Sequence, residues 1–240
     1  MTWPSEAPRE AQPTEAESYR ILRSRIDLSR LPKHSRDVTE RVIYATADFD
    51  YATDLVCDEE ALAVAVDALA AGAPVVADGA MVAAGITGGP VVCKIGEPLT
   101  ARLARTAGIS VPAAAIRLSF GEVGPGAVWV VGCAPAALTE ILTRGVESAF
   151  VIGLPVGFVA AAAAKDALRA SGIRSVSNVS EKGGAAAAAA VLEALLRSAV
   201  AVAGSRAGWG AGGSAAGTVP LPTADPGHDQ DGDERALLFR

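Results

Sequence analysis

Residues 127–155 read AVWVVGCAPAALTEILTRGVESAFVIGLP, in which two apolar runs flank a longer segment of helical composition. The runs, Ala127–Val131 and Ala149–Ile152, contain no charged residue, so a strand formed by either must be buried on both faces. Strands of this kind, separated by helices, are typical of a parallel sheet that is covered on both sides. This stretch therefore predicts an α/β fold.

The same alternation continues on either side of this stretch. Short β-branched runs give five strand candidates: Pro74–Ala77, Val91–Ile95, Ala127–Val131, Ala149–Ile152 and Ser175–Val179. Helix candidates lie before and between them: Glu17–Ile26, Asp37–Ala47, Asp58–Ala71, Leu99–Thr106, Pro112–Phe120, Ala134–Arg144, Val159–Ser171 and Ala185–Val202. The segment Arg41–Thr46, RVIYAT, also suits a strand, and we assign it to a helix C-terminus. We predict a doubly wound α/β fold: a mostly parallel sheet of about five strands with helices on both faces.

Both ends of the chain differ from its centre in composition. Residues 1–16 are rich in Pro and Glu, and residues 204–240 are rich in Gly, Pro and acids. Such segments bury too little apolar surface to offset chain entropy. We predict disorder at 1–16 and 204–240 and one folded domain over 17–203. The net charge of −6 belongs mostly to the ends, since residues 18–203 hold 18 acids against 17 bases.

Composition argues against nucleic-acid and membrane partners. No basic stripe is present that would neutralise phosphates. The N-terminus lacks the basic and apolar regions of a signal peptide. The most apolar long stretch, residues 185–203, is Ala-rich and is interrupted by Glu193 and Arg197, which argues against a membrane span. We expect a cytoplasmic protein.

Histidine and cysteine are placed unfavourably for metal or nucleophile chemistry. His34 lies in a polar connection and His228 in the acidic tail, and they are the only two histidines. Cys57, Cys93 and Cys133 lie far apart and form no CxxC pair. A zinc site, a Ser-His-Asp triad or a Cys-His dyad is therefore not expected. We interpret the cysteines as reduced core residues.

Gly- and Pro-rich turns follow the predicted strands, at Asp78–Gly79, Gly96–Pro98, Gly132–Pro135 and Gly153–Gly157. In an open α/β sheet the binding crevice lies at the carboxyl ends of the strands. These turns are candidate walls of such a crevice, or ordinary connections. No GxxxxGK[ST] occurs and no GxGxxG follows a strand. The sequence KGG at 182–184 is a candidate anion site or simply a flexible helix start.

Seven segments resemble precorrin-8X methylmutases in order and spacing: SYRILRSRIDLSRL (18–31), RVIYATADFDYATDLV (41–56), LAAGAPVVADGAMVAAGIT (69–87), VVCKIGEP (91–98), VGCAPAAL (131–138), VIGLPVGFVAAAAAKDAL (151–168) and EKGGAAAAAAVLEAL (181–195). The most specific parts are MVAAGIT, GLPVGFV with the KDAL that follows, and KGG. The resemblance covers almost the whole predicted domain, and seven segments in register are far more specific than any one.

The resemblance implies a homodimeric enzyme of cobalamin biosynthesis that needs no cofactor and no metal. The implied reaction moves a methyl group from C-11 to C-12 of a tetrapyrrole, precorrin-8X, and gives hydrogenobyrinic acid or its cobalt counterpart. A 1,5-sigmatropic shift of this kind depends on orienting the macrocycle and stabilising charge on it. The matching positions imply substrate contacts at Ser18, Asp48, Met81, Thr87, Lys94, Gly132, Ala134, Pro135, Pro155, Val156, Gly157, Phe158, Lys165, Lys182, Gly183 and Gly184. The three lysines are equally consistent with solvated surface residues.

One departure affects the chemistry. The family's catalytic histidine lies in a stretch resembling [VI]-[VI]-H-A-[TC]-G, where this chain has VIYATA at 42–47, so Tyr44 is the implied catalytic residue. A phenol donates a hydrogen bond but is a weaker acid than an imidazolium. Other polar positions of the family match Val111, Cys133 and Ala163–Ala164 here. If Tyr44 serves the ring, its oxygen should face the turns Gly132–Pro135 and Gly153–Gly157.

Three functional hypotheses remain open at this point. The first is the methylmutase, and the second is a catalytically weakened protein that holds or hands over a corrinoid. Loss of the histidine favours the second, whereas retention of GLPVGFV and KGG fits both. The third, a nucleotide-binding α/β enzyme, lacks the phosphate-binding loops.

Overall fold

The computed structural model describes the backbone of residues 13–210 and the side chains of residues 13–204. The strands of this part are β1 Leu55–Val56, β2 Val75–Ala77, β3 Ala127–Val131, β4 Ser148–Gly153 and β5 Ser175–Asn178. Its helices are α1 Pro13–Arg25, α2 Lys33–Thr46, α3 Tyr51–Asp54, α4 Glu59–Ala70, α5 Ala80–Gly85, α6 Pro98–Ala107, α7 Val111–Val123, α8 Pro135–Arg144, α9 Ala161–Ala170 and α10 Ala185–Gly210.

The five strands form one mixed sheet in the order β1-β5-β4-β3-β2. Strands β2 to β5 are parallel, and β1 pairs antiparallel with β5. The predicted strand Val91–Ile95 is wrong: only Val92 forms a bridge, with Val76 of β2. Pro90 just before this run supplies no N–H, and the chain then turns towards α6, so no ladder develops. The fifth strand is instead Leu55–Val56, which is too short to be detected by pattern.

Helices cover both faces of the sheet, as predicted. Val128, Val130 and Ile152 face the larger core cluster, which contains residues of α2, α4 and α10. Trp129 and Val151 face the smaller cluster, which contains residues of α7, α8 and α9. Successive side chains of a strand point to opposite faces. The uninterrupted apolar runs are therefore explained by burial on both sides.

The short helices α3 and α5 were not predicted, and the first and last helices extend beyond their predicted bounds. Helix α1 begins at Pro13, and α10 extends to Gly210. Helix α1 is tied to the domain through Glu15, whose carboxylate accepts hydrogen bonds from Arg41 and Arg197. The segment RVIYAT is helical, and α2 ends where Ala47 adopts a left-handed conformation with φ 54°. Residues 1–12 and 211–240, where we predicted disorder, lie outside the described residues.

Helix α10 is the central helix of the larger core cluster. By length and composition its segment Ala185–Gly204 could cross a membrane. In this protein, however, 56% of the most apolar window is buried, and the helix packs against α2, α4 and α5. Core helices of globular proteins have the same composition, because they too are surrounded by apolar groups.

Candidate functional site

The carboxyl ends of the four parallel strands lie at one edge of the sheet. Strand β2 marks the point where the strand order reverses, since Val92 bridges its outer side and β3 pairs with its inner side. Open α/β sheets place their binding crevices at such a point. The candidate site therefore consists of the turns that follow these strands, together with the helices next to them.

Asp78, directly after β2, organises the turn that follows β3. Its carboxylate is 1% exposed and accepts hydrogen bonds from the backbone N–H groups of Gly132 at 3.0 Å, Cys133 at 2.9 Å and Ala134 at 2.8 Å. Burial raises the pKa of Asp78, and the three N–H donors act in the opposite direction. The turn before α8 is thus fixed to the end of β2. Sequence analysis included Asp78 in a candidate turn but assigned it no role.

The loops 154–157 and 181–184 form one continuous wall. The N–H of Gly184 donates to the carbonyl of Leu154 at 2.8 Å, and that of Gly157 donates to the carbonyl of Glu181 at 3.1 Å. At Gly183, with φ 148°, a Cβ atom would lie 2.3 Å from the Leu154 carbonyl oxygen. Only glycine fits there, which explains the first glycine of KGG.

The predicted turn after β3 contacts the start of α10 directly. A Cβ atom on Gly132 would lie 3.0 Å from the Gly184 carbonyl oxygen and 2.8 Å from the Cβ of Ala188. The turn after β3 and the start of α10 are therefore packed backbone to backbone. Of the predicted substrate contacts, the structure brings the following together here: Gly132, Ala134, Pro135, Pro155, Val156, Gly157, Lys182, Gly183 and Gly184.

Apolar side chains are exposed beside this wall. The exposed fractions are 49% for Val156, 96% for Phe158, 84% for Val159 and 70% for Met81. Two adjacent, almost fully exposed large apolar residues are unusual, because such groups are normally buried. The predicted contacts Val156, Phe158 and Met81 are thus available to a ligand or a partner.

Tyr44 lies near the C-terminus of α2 with 36% of its surface exposed. Its ring stacks on that of Tyr19 from α1, with the ring centroids 5.1 Å apart and the planes 10° from parallel. The guanidinium of Arg41 lies over the Tyr44 ring, 4.9 Å from its centroid. Among the described residues the Tyr44 hydroxyl has no hydrogen-bond partner. The ring is held in place while the hydroxyl remains available.

Contacts on either side of Tyr44 connect it to α10. One turn earlier, Arg41 pairs with Glu193, whose other oxygen accepts a hydrogen bond from Thr87 at 3.3 Å. Beyond the end of α2, Asp48 pairs with Lys182 at 2.7 Å. Tyr44 therefore lies on a helix that is tied to α10 and to the loop before it. Of the predicted contacts, Thr87 shares Glu193 with Arg41, and Asp48 pairs with Lys182. That the Tyr44 oxygen faces the turns 132–135 and 153–157 stays a prediction.

Sequence analysis missed the charged residues of this region. Glu193 entered only as an interruption of an apolar stretch, and Arg41 and Tyr19 were not singled out. Arg41 precedes Tyr44 by three residues and so shares its helix face, which was the available signal. The pairing of Arg41 with Glu193 spans 152 residues and leaves no local pattern.

Lys182 is charged but already paired. Its ammonium contacts the carboxylates of Asp48 and Asp50, and these hydrogen bonds raise its pKa. The same contact lowers the pKa of Asp48. A substrate carboxylate would have to replace at least one of these partners to bind Lys182 directly.

Lys165 does not line the crevice. It is 0% exposed, and its ammonium donates to the Asn178 side chain at 2.9 Å, to the Lys182 carbonyl at 2.8 Å and to the Ser180 carbonyl. Burial lowers its pKa to about 8, whereas three oxygen acceptors favour the ammonium form. Neither of the roles considered from the sequence, a substrate contact or a solvated surface lysine, matches this position.

Two further predicted contacts are engaged elsewhere. The ammonium of Lys94 pairs with Glu97 and Glu122, next to α6 and α7. The Ser18 hydroxyl donates to the carbonyl of Thr14 within α1 at 2.7 Å, although its neighbour Tyr19 belongs to the aromatic stack. Among the described contacts, none connects Lys94 with Tyr44 or with the 181–184 loop.

The arrangement offers backbone N–H donors and an aromatic surface to a ligand. Within residues 13–204 no cluster of His, Cys, Asp and Glu side chains could hold a metal ion. The three cysteines are free, as expected, but each is only partly buried. The N-termini of α8 and α10 lie at the crevice, where unpaired N–H groups favour anions. The Tyr19–Tyr44 stack adds a flat aromatic surface.

The fold defines an open α/β protein, and its candidate site lies at the carboxyl ends of the parallel strands. The sequence model of one family, precorrin-8X methylmutase, matches residues 13–198. The chain belongs to the precorrin-8X methylmutase family.

Individual relatives agree with this assignment. The chain is 35% identical to the cobalt-precorrin-8 methylmutase of Salmonella typhimurium over 201 residues, which cover 78% of this chain and 95% of the relative. It is 37% identical to a precorrin-8X methylmutase of Sinorhizobium over 161 residues, covering 63% and 76%. The solved structure of a precorrin-8X methylmutase from Thermus thermophilus superimposes with a TM-score of 0.72 at 30% identity, covering 79% of this chain and 97% of that one.

Proposed function

We propose that this protein is a methylmutase of cobalamin biosynthesis, an isomerase that moves the C-11 methyl group of precorrin-8X to C-12. The product is hydrogenobyrinic acid or its cobalt counterpart. The observation that carries the proposal is the family match over residues 13–198, which includes every wall of the crevice. The family's activity is an intramolecular transfer, so no cofactor is required.

The crevice supplies what an intramolecular shift needs, which is orientation and a suitable electrostatic environment. The peripheral carboxylates of the macrocycle would accept hydrogen bonds from N–H groups at the starts of α8 and α10. Exposed apolar groups such as Val156 and Met81 would contact the ring edge. Asp78 and the 154–184 hydrogen bond keep these walls at a fixed separation.

Tyr44 is the proposed donor to the conjugated ring. Its stacking on Tyr19 and its contact with Arg41 restrict the ring without using the hydroxyl. A preoriented hydroxyl loses little entropy when it donates to a ring nitrogen of the substrate. A hydrogen bond of this kind stabilises negative charge that develops there during the shift.

We also propose a cytoplasmic homodimer. The support for the dimer is the exposed pair Phe158 and Val159 at 96% and 84%, which a second copy of the chain would cover. Burying two such side chains stabilises association by about 1.5–3 kcal/mol each. Sedimentation equilibrium at assay concentration should give twice the chain mass, and replacing both residues by Ser should shift the equilibrium towards monomer. A wild-type monomer would contradict the dimer.

Incubation with precorrin-8X, followed by ultraviolet–visible spectroscopy, tests the activity. We expect the precursor spectrum to convert to that of hydrogenobyrinic acid, with heat-denatured protein as control. A parallel incubation with cobalt-precorrin-8 shows which form is preferred, since the names of the relatives include both. Bound but unchanged precursor would instead indicate a corrinoid-binding protein. Absence of binding to either precursor would contradict the proposal.

A further inference from the structure

Lys165 holds together the segment that leads from β5 into α10. Its side chain comes from α9 and is completely buried. Its three N–H groups donate to the Asn178 side chain and to the carbonyls of Ser180 and Lys182. An ammonium has three donors, so all of them are used within the protein. No donor is left for a ligand.

Asn178 and Asp54 continue this network on the other side of the segment. The side-chain amide of Asn178, itself 0% exposed, donates to Asp54 at 2.8 Å and to the Lys182 carbonyl at 2.9 Å. The Asp54 carboxylate accepts from the N–H groups of Val179 and Ser180 at 3.1 and 2.8 Å, and from the Ser180 hydroxyl at 2.7 Å. Three side chains from α9, β5 and α3 thus fix residues 179–182 from both sides.

The segment they fix carries the groups that face the crevice. Residues 183 and 184 follow it directly, and both have positive φ, 148° and 114°. Gly184 then bonds to Leu154, and Lys182 reaches Asp48 beside Tyr44. A shift of residues 179–182 would therefore move the start of α10 and the partner of Asp48 together.

We infer that Lys165 is a positioning residue, which acts with Asn178 and Asp54 to hold the 179–184 loop in the geometry that binds the substrate. The inference rests on the proposed function for its consequence in catalysis. We call the hydrogen bonds that Lys165, Asn178 and Asp54 make to this loop the lock. These hydrogen bonds are present in the protein without substrate. Buried hydrogen bonds to a charged donor contribute more than neutral ones. Removing the donor takes a charged hydrogen bond from three acceptors, of which the Ser180 and Lys182 carbonyls keep only the neutral donor of the Asn178 amide.

Hydrogen exchange of the free protein tests the lock without any substrate. Lys165→Met keeps the length of the side chain and removes all three donors. We expect the amides of residues 179, 180, 182 and 184, which donate to acceptors within the protein, to exchange about tenfold faster in this variant, with those of β3 unchanged. Lys33→Met is the matched control, because the Lys33 side chain is 65% exposed on α2 and pairs only with Asp37. Unchanged exchange in 179–184 would overturn the inference, whatever the activity.

A second variant covers the case in which Lys165→Met does not fold. Asp54→Asn keeps the shape of the side chain, and its oxygen can still accept from the N–H groups of residues 179 and 180. Its NH₂ group then faces the Asn178 amide and the Ser180 hydroxyl, which donated to the other carboxylate oxygen. The same amides should exchange faster in it, by a smaller factor. Protection equal to that of the wild type in Asp54→Asn would also contradict the lock.

Turnover of precorrin-8X links the lock to the site. We expect Lys165→Met to raise KM by about tenfold or more while kcat changes little, since a mobile loop weakens substrate and transition-state binding alike. A change of exchange without a change of KM would overturn the role in the site. If the wild-type protein does not convert precorrin-8X, the proposed function fails, and the exchange result still decides whether the lock exists.

Discussion

Tyr44→Phe should lower the turnover of precorrin-8X by about 10²–10⁴-fold and leave substrate binding little changed, because this is the range over which a single proton donor contributes. The substitution removes one hydroxyl and preserves the ring. Steady-state kcat and KM, with the dissociation constant of the product, provide the measurement. The effect should appear in kcat, since the proposed hydrogen bond strengthens as charge develops on the macrocycle.

The structure indicates that this substitution will not disturb the fold. The Tyr44 ring packs on Tyr19 and beneath Arg41, and Phe offers the same surface to both. The hydroxyl has no partner among the described residues, so its loss leaves no buried group unpaired. A fall in activity would therefore reflect a lost interaction with the substrate rather than a lower stability of the protein.

Tyr19→Phe is the comparison variant. It removes a hydroxyl from the other ring of the same stack, together with the hydrogen bond that this hydroxyl accepts from Arg41, and it should lower kcat much less than Tyr44→Phe does. Tyr44→His introduces the residue type that the sequence resemblance implies for this position, and it should raise turnover if the remaining site is intact. Full activity of Tyr44→Phe would show that the phenol has no chemical role. Catalysis would then depend on the shape and charge of the crevice alone.

The fold was predictable because its strands are apolar on both faces. Runs such as Ala127–Val131 specify a buried parallel strand without any knowledge of their neighbours. Strands at the edge of the sheet are harder to predict: Leu55–Val56 forms a strand and Val91–Ile95 does not. An edge strand pairs with only one neighbouring strand, and its length depends on where the chain turns away from that neighbour. A two-residue strand produces no periodicity that a sequence could reveal.

The sequence predicted where the backbone turns of the site lie, but not which charged side chains pair with one another. The glycines of KGG and the turn at 132 were identified because they follow a predicted strand or begin a predicted helix, and the structure shows a close backbone approach at both. Pairings such as Arg41 with Glu193, or Lys165 with Asn178, join residues that are distant in sequence. The sequence shows that these residues carry a charge or an amide, but only the fold shows whether they face a ligand, each other or water.

Asp78→Ala should destabilise the protein by about 3–5 kcal/mol, which makes it the most damaging single substitution at the crevice. The carboxylate is buried and accepts three backbone N–H groups. Removing it leaves those donors without a partner, and hydrogen bonds to a charged acceptor contribute about 1.5–3 kcal/mol each before any compensation by water. Urea unfolding followed by circular dichroism gives the free energy of unfolding.

Asp78→Asn separates charge from shape. Its oxygen can still accept from one or two of the N–H groups, but its NH₂ group must face at least one of them, so the expected loss is smaller, about 2–3 kcal/mol. Asp37→Asn is the control, since the Asp37 carboxylate is 38% exposed in a surface pair with Lys33 and should change stability by no more than about 0.5 kcal/mol. In folded Asp78→Asn the turn at 132–134 is held to β2 by fewer hydrogen bonds, so affinity for the corrin product should fall as well. If Asp78→Ala costs less than about 1 kcal/mol, the turn holds its conformation without the carboxylate, and the separation of the crevice walls depends on the packing of Gly132 against α10 instead.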